Sequence, residues 1–160
     1  MSVIDHEAHS AIREAAEDYF LRSDALARSR KIRNQNLEQL PSEQRKQWQS
    51  LISLGWPGLL VPEDLGGMHL SMQSAADFFI AAGAHAAPEP NLPVAGLAAL
   101  VLRQQATPKA KELLRSMLEG QCIPAVAWQE DHGDISPTPL SCGAELTAEG
   151  VCIQGEKCIV

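Results

Sequence analysis

Aromatic residues are scarce in this chain: three tryptophans, three phenylalanines and one tyrosine among 160 positions. Ala and Leu must therefore supply most of any core, which favours helices packed closely through small residues. Basic residues are also few, with 13 Lys and Arg against 20 Asp and Glu and a net charge of −7. That balance excludes the basic face of a nucleic-acid binder and a polybasic membrane anchor. No apolar run approaches the roughly 20 residues of a membrane span. Residues 1–12 carry Asp5 and Glu7 and no apolar h-region, so no signal peptide and a cytoplasmic location are expected. The four cysteines, Cys122, Cys142, Cys152 and Cys158, form no C-x-x-C pair. A zinc ribbon is thereby excluded, and reduced, buried thiols are expected even if the strands of Cys142 and Cys152 adjoin. G-x-G-x-x-G, G-x-x-x-x-G-K-[ST] and G-x-S-x-G are all missing, so phosphate-loop and hydrolase-elbow chemistry have no basis.

What is present is one dense stretch, Leu54-Gly-Trp-Pro-Gly-Leu-Leu-Val-Pro-Glu-Asp-Leu-Gly-Gly67. Four glycines and two prolines rule out a long helix there, yet Trp56, Leu59, Leu60 and Val61 call for burial. An ordered, buried connector between helices satisfies both demands. Before it, residues 5–34 read as one long helix or two collinear ones, with an apolar stripe at Ala8, Ile12, Ala15, Tyr19 and Leu26. Acidic residues lead this segment and Arg28, Arg30, Lys31 and Arg33 end it, an order that complements the helix dipole. Pro41 starts the next helix, which Gly55 ends. Ser71 is an N-cap for a helix reaching about Ala86. Pro93 opens an all-round apolar helix to Gln105, of the kind that is normally buried. Thr107-Pro108 caps another helix, which Gly120 stops.

The period then changes. Residues 122–130 suit a strand, residues 140–147 alternate with period two like a strand with one buried face, and Ala148-Glu149-Gly150 turns into a strand over 151–160. The fold class is mainly α: an antiparallel helical domain over 1–121, followed by an incomplete β-domain over 122–160, α+β overall. Three strands without further partners are marginal, and the chain reads as cut inside its second domain.

The order of these features resembles the acyl-CoA dehydrogenase family. The 54–67 stretch is similar to that family's L-G-W-x-G-L-x-V-P-E-x-x-G-G block, and Ala87-Pro-Glu-Pro90 to its A-P-E-P. Leu118-Glu-Gly-Gln121 with Ala125-Val-Ala-Trp-Gln-Glu130 resembles the step into the first middle-domain strand, and Gln154-Gly-Glu-Lys157 the later N-G-x-K. The resemblance implies a helical domain, a β-domain and a C-terminal four-helix bundle. It implies FAD as cofactor and an acyl-CoA thioester as substrate, desaturated between Cα and Cβ. It also implies a homo- or hetero-oligomer, and an electron-transfer flavoprotein as acceptor for the intact enzyme. Against the family's aromatic-x-x-T-E-P-x-x-G-S-D motif, Gln129 falls on the threonine at the flavin edge, with Val126 and Trp128 as ring-lining neighbours. Gln129 can donate through its amide. Ile135 falls on the serine that touches substrate or cofactor phosphate. Ile159 falls where many members carry an aromatic over the flavin, Asp131 replaces the proline, and Ile80-Ala81 replace an acidic pair. The catalytic carboxylate belongs to the C-terminal bundle, so no catalytic residue is assigned within 1–160.

A second reading is a non-catalytic helical interaction module, or an accessory subunit that completes a partner's site. For Glu130-Asp131-His132-Gly133-Asp134 a solvated loop is preferred to a metal site, because adjacent residues seldom converge on one ion. His6 and His9, three apart on a helix, lack a third ligand, and His69 and His85 are read as capping or lining helix ends. No metal is assigned.

Overall fold

The computed structural model describes residues 3–33, 41–105, 107–130, 140–148 and 150–158. The expected class holds. Helices come first, α1 (Val3–Arg22), α2 (Ala25–Arg33), α3 (Pro41–Ser53), α4 (Met72–Ala84), α5 (Ala99–Arg103) and α6 (Pro108–Leu118). An antiparallel hairpin follows, β1 (Gly143–Thr147) and β2 (Gly150–Gln154), in register from Gly143 opposite Gln154 to Thr147 opposite Gly150. The chain divides into two compact units, Met1–Pro124 and Ala125–Val160.

The N-terminal segment forms two helices, with a break between them. Asp24 takes φ 47° between them, a left-handed conformation that Asp tolerates better than most residues. The buried positions are also shifted from the expected stripe, already within α1. Ala16, Phe20 and Ala25 are fully buried, whereas Ala15 and Leu26 face solvent. Local chemistry set the later boundaries as expected. The Ser71 hydroxyl accepts from the Ser74 N–H at 3.1 Å, and the Thr107 hydroxyl from the Ala110 N–H at 3.2 Å. These are N-caps that satisfy otherwise orphaned donors.

The few aromatic rings are concentrated. Trp56 stacks on Phe78 with centroids 4.6 Å apart, Phe20 meets Phe78 at 5.6 Å, and Tyr19 and Phe79 extend the cluster edge-on. Leu51, Leu59, Leu60, Val61, Val94, Leu114 and Met117 close around it. Arg13 of α1 donates to the buried Asp77 of α4 at 2.5 and 3.1 Å, pinning the two helices at the edge of that core.

The connector after α3 is ordered and buried from Trp56 to Val61, as its composition demands. Two short 3₁₀ turns, Trp56–Gly58 and Glu63–Leu65, fold it back on itself. The N–H groups of Met68, His69 and Leu70 then donate to the carbonyls of Gly58, Val61 and Leu59 at 2.8–2.9 Å. Gly67 lies so close to this return that an added Cβ would sit 2.1 Å from the Val61 carbonyl oxygen.

The apolar segment after Asn91 departs from expectation. Leu92–Ala98 is wound as a π-helix that runs into α5, with the Ala99 N–H reaching back to Val94. Its burial is one-sided: Val94, Ala95, Ala98 and Ala99 are buried, but Leu92 is 60% exposed and Leu97 and Val101 are each 40% exposed. Residues 122–130 form no strand, and in the second unit both faces of the hairpin are exposed rather than one. The thiols are free and none is fully buried. Cys152 is exposed and lies opposite Glu145, not Cys142.

Two glycine substitutions test the packing. Gly67→Ala is expected to cost about 3 kcal/mol, because backbone blocks the new methyl. Gly83→Ala, in α4 with nothing within 4 Å of its added Cβ, should leave stability unchanged or raise it by about 0.5–1 kcal/mol. Urea unfolding followed by circular dichroism measures both, and a Gly67→Ala protein as stable as wild type would show that the loop can open there.

Candidate functional site

In the second unit the residues that carry polar chemistry converge on one carboxylate. Glu130 ends the irregular segment that begins at Ala125, and its side chain is only 14% exposed. Its Oε2 accepts from the Ser141 N–H at 2.5 Å and from the Ser141 hydroxyl, and its Oε1 from the Cys142 N–H at 3.0 Å. The Lys157 ammonium donates to Oε1 at 2.6 Å and to the Trp128 carbonyl at 3.4 Å. The Cys158 N–H donates to the Gln129 carbonyl at 2.8 Å. Gly155 permits this closure. It holds φ 143°, and a Cβ there would sit 2.2 Å from Cys142 Sγ.

The electrostatics follow from those contacts. The Lys157 ammonium, then the Ser141 hydroxyl and the Ser141 and Cys142 amides, hold the Glu130 carboxyl well below the usual carboxylate range. The same pairing raises Lys157, and the neighbouring carboxylate, with burial, pushes the Cys142 thiol up. Glu130 is thus a charged anchor with its acceptor sites filled, unsuited to moving protons. A solvated loop was expected at this position. Of the five residues 130–134 only Glu130 is described, and its partners lie 11 to 27 residues further along the chain.

The residues expected to meet a cofactor are distributed unevenly. Val126 is half-buried, Trp128 presents a 38% exposed indole, and Gln129 is buried. Burial separates them: the Trp128 indole is partly in solvent and Gln129 is covered. The exposed indole and its valine neighbour fit a flat ring, while the Gln129 side chain is turned into the unit. Ile135 and Ile159 lie outside the described residues, as do Asp131, His132, Gly133 and Asp134.

The first unit contributes two surfaces of its own. One is the apolar side of the π-helix and α5, with Leu92, Leu97 and Val101. The other is a groove of about 730 Å³ lined by Arg45, Trp48, Gln49, Glu89, Gln121 and Ile123 among others. Sequence reasoning passed over the role of Glu89 in Ala87-Pro-Glu-Pro90. Its side chain is 3% exposed and forms an ion pair with Arg28 of α2, whose guanidinium also donates to the Ser23 carbonyl at 2.9 Å. The basic end of α2 is therefore partly structural. His85 caps α4 and lies beside Phe20, whereas His69 sits in the return of the connector with φ 50°.

A helical unit followed by the opening hairpin of a β-unit defines the class: an N-terminal α-domain that leads into a β-domain. The family described as acyl-CoA dehydrogenase, N-terminal domain, matches residues 6–121. The chain belongs to the acyl-CoA dehydrogenase family. Among solved structures, it is similar to a glycine-to-alanine variant of the Tcur3481-Tcur3483 steroid ACAD, with a TM-score of 0.80 and 22% identity over 97% of this chain and 41% of that one. The unsubstituted Tcur3481-Tcur3483 steroid ACAD gives a TM-score of 0.72 and 22% identity over 95% and 39%. The chain thus spans about two fifths of the length of those structures. No curated protein gives a match. Among the described residues, no helix is long and apolar enough to cross a membrane.

The pH response of the Glu130 cluster has a definite sign. A carboxyl lowered on folding contributes stability that is full above its unfolded value and is lost as pH falls through the folded one. A lysine raised on folding contributes stability that is lost as pH rises through its folded value. Exchange protection of the Cys142 amide, corrected for intrinsic rates, should therefore be flat from about pH 5 to pH 9 and fall on the acid side. In Glu130→Gln the acid limb should vanish, and an unchanged limb would remove Glu130 as its source.

Proposed function

We propose that the chain is the N-terminal portion of an FAD-dependent acyl-CoA dehydrogenase that introduces a double bond between Cα and Cβ of an acyl-CoA thioester. Membership of the family over residues 6–121 carries this reading. The described geometry supports it at two places. In the first unit, Leu92, Leu97 and Val101 expose an apolar helical side suited to an acyl chain. In the second, Trp128 exposes a flat ring beside Val126, suited to an isoalloxazine. When bound, FAD supplies the hydride acceptor. The residues of this chain bind and orient, and none is assigned as the base. Ile135 and Ile159 keep the substrate- and cofactor-side roles that the motif gives them. In the proposed intact enzyme, electrons pass to an electron-transfer flavoprotein within an oligomer in the cytoplasm.

The similar solved structures are named steroid ACADs, so a steroid-derived acyl-CoA belongs beside straight-chain and branched thioesters in any substrate panel. The 160-residue protein by itself is expected to give no dye reduction with any of them, and measurable turnover would overturn that expectation. FAD titration followed by flavin fluorescence tests cofactor binding directly. Trp128→Ala should weaken binding by about tenfold, the scale of one lost aromatic contact. A wild-type protein with no saturable signal would refute the flavin reading.

The second reading, an accessory subunit that completes a partner's site, is favoured by one observation. Leu146, Val151 and Ile153 of the hairpin are 91%, 62% and 75% exposed, more apolar surface than an isolated hairpin gains from showing. FAD binding without a partner would count against it.

A further inference from the structure

We propose that Glu130 and Lys157 act together as positioning residues that set the Trp128–Gln129 segment to meet a flavin. The inference rests on the flavin reading above and extends it to residues that touch no cofactor themselves. Trp128 and Gln129 present two consecutive backbone carbonyls. Here both are claimed by consecutive residues of one returning segment: the Trp128 carbonyl by the Lys157 side chain, the Gln129 carbonyl by the Cys158 N–H. Those two bonds fix the peptide planes on either side of Gln129. They thereby hold the Gln129 backbone and the peptide plane that leaves Trp128, from whose Cα the exposed indole projects.

Lys157 can hold the Trp128 carbonyl only if its ammonium is itself held, and Glu130 does that at 2.6 Å. Glu130 is in turn immobilised by the Ser141 and Cys142 donors at the start of the hairpin. The chain of constraint runs from hairpin to carboxylate, from carboxylate to ammonium, and from ammonium to the Trp128 backbone. It also joins two separate motif blocks, Ala125–Glu130 and Gln154–Lys157, through one ion pair. Side chains locked by supporting contacts are what a binding segment needs to keep its geometry.

The test uses the 160-residue protein labelled with 5-fluorotryptophan, the Trp128 resonance being assigned by Trp128→Phe, and FAD alone as the ligand. Glu130→Gln and Lys157→Met should each broaden or shift the Trp128 fluorine resonance and weaken FAD binding by about tenfold. Trp48 and Trp56 resonances should stay in place. Lys157→Arg, which keeps both donor functions, should retain most of the affinity. The double variant should be no worse than either single variant, because both break one chain of contacts. A Trp128 resonance unchanged in both single variants, or losses that add in the double, would overturn the positioning role. Wild-type protein that binds no FAD would instead overturn the flavin reading, whatever the fluorine spectrum does.

Discussion

An irregular segment can enter a protein core only if its backbone polar groups find partners there, since each unpaired one costs on the order of 1–3 kcal/mol. The first unit depends on that condition being met between Gly55 and Leu70. The segment doubles back, and its own N–H groups and carbonyls satisfy one another across the return. With its polarity cancelled internally, it can offer Trp56, Leu59, Leu60 and Val61 to the helices as if it were a helix face. Trp56 meets Phe78 of α4, and Phe78 meets Phe20 of α1. The Arg103 guanidinium at the end of α5 donates to the Leu60 carbonyl, tying the apolar helix to the same loop. Three helices are thus placed by a segment that is itself not regular.

Features governed by nearest neighbours were legible in the sequence. The connector, the Ser71 and Thr107 caps and the order of helices follow from residues within a few positions of one another. Features set by long-range phase were not. The stripe in α1 was displaced because Phe20 answers to Phe78, nearly sixty positions away. The segment after Asn91 looked buried on all sides because its composition is uniform. Its π winding changes which residues share a side, and that winding leaves no mark in a pattern of Leu, Val and Ala.

The second unit shows a different limit. Period-two alternation over 140–147 marks a strand but says nothing about what covers it, and the hairpin shows both faces. For the candidate site, the family motif pointed at Val126, Trp128 and Gln129 by alignment alone. The structure leaves the Trp128 indole partly exposed and buries Gln129. Glu130 and Lys157 were in plain view within two quoted motifs, but nothing local says that a glutamate and a lysine 27 positions apart will meet. The motifs name the residues, and the fold supplies the reason they occur together.

The buried hydrophobic core of the described chain draws its members from Ala16 to Met117, all inside the unit Met1–Pro124. That distribution has a meaning for biosynthesis. A nascent chain is made from the N-terminus at about 5–20 residues per second, and domains fold as units as they emerge. By the time Gly143–Gln154 has been translated, every residue needed to close the helical core has already left the catalytic centre of the ribosome. The helices can therefore shut their apolar surface away before the exposed strands exist to compete for it. The order of the gene doubles as an order of assembly, with the hairpin made after the core it could otherwise disturb.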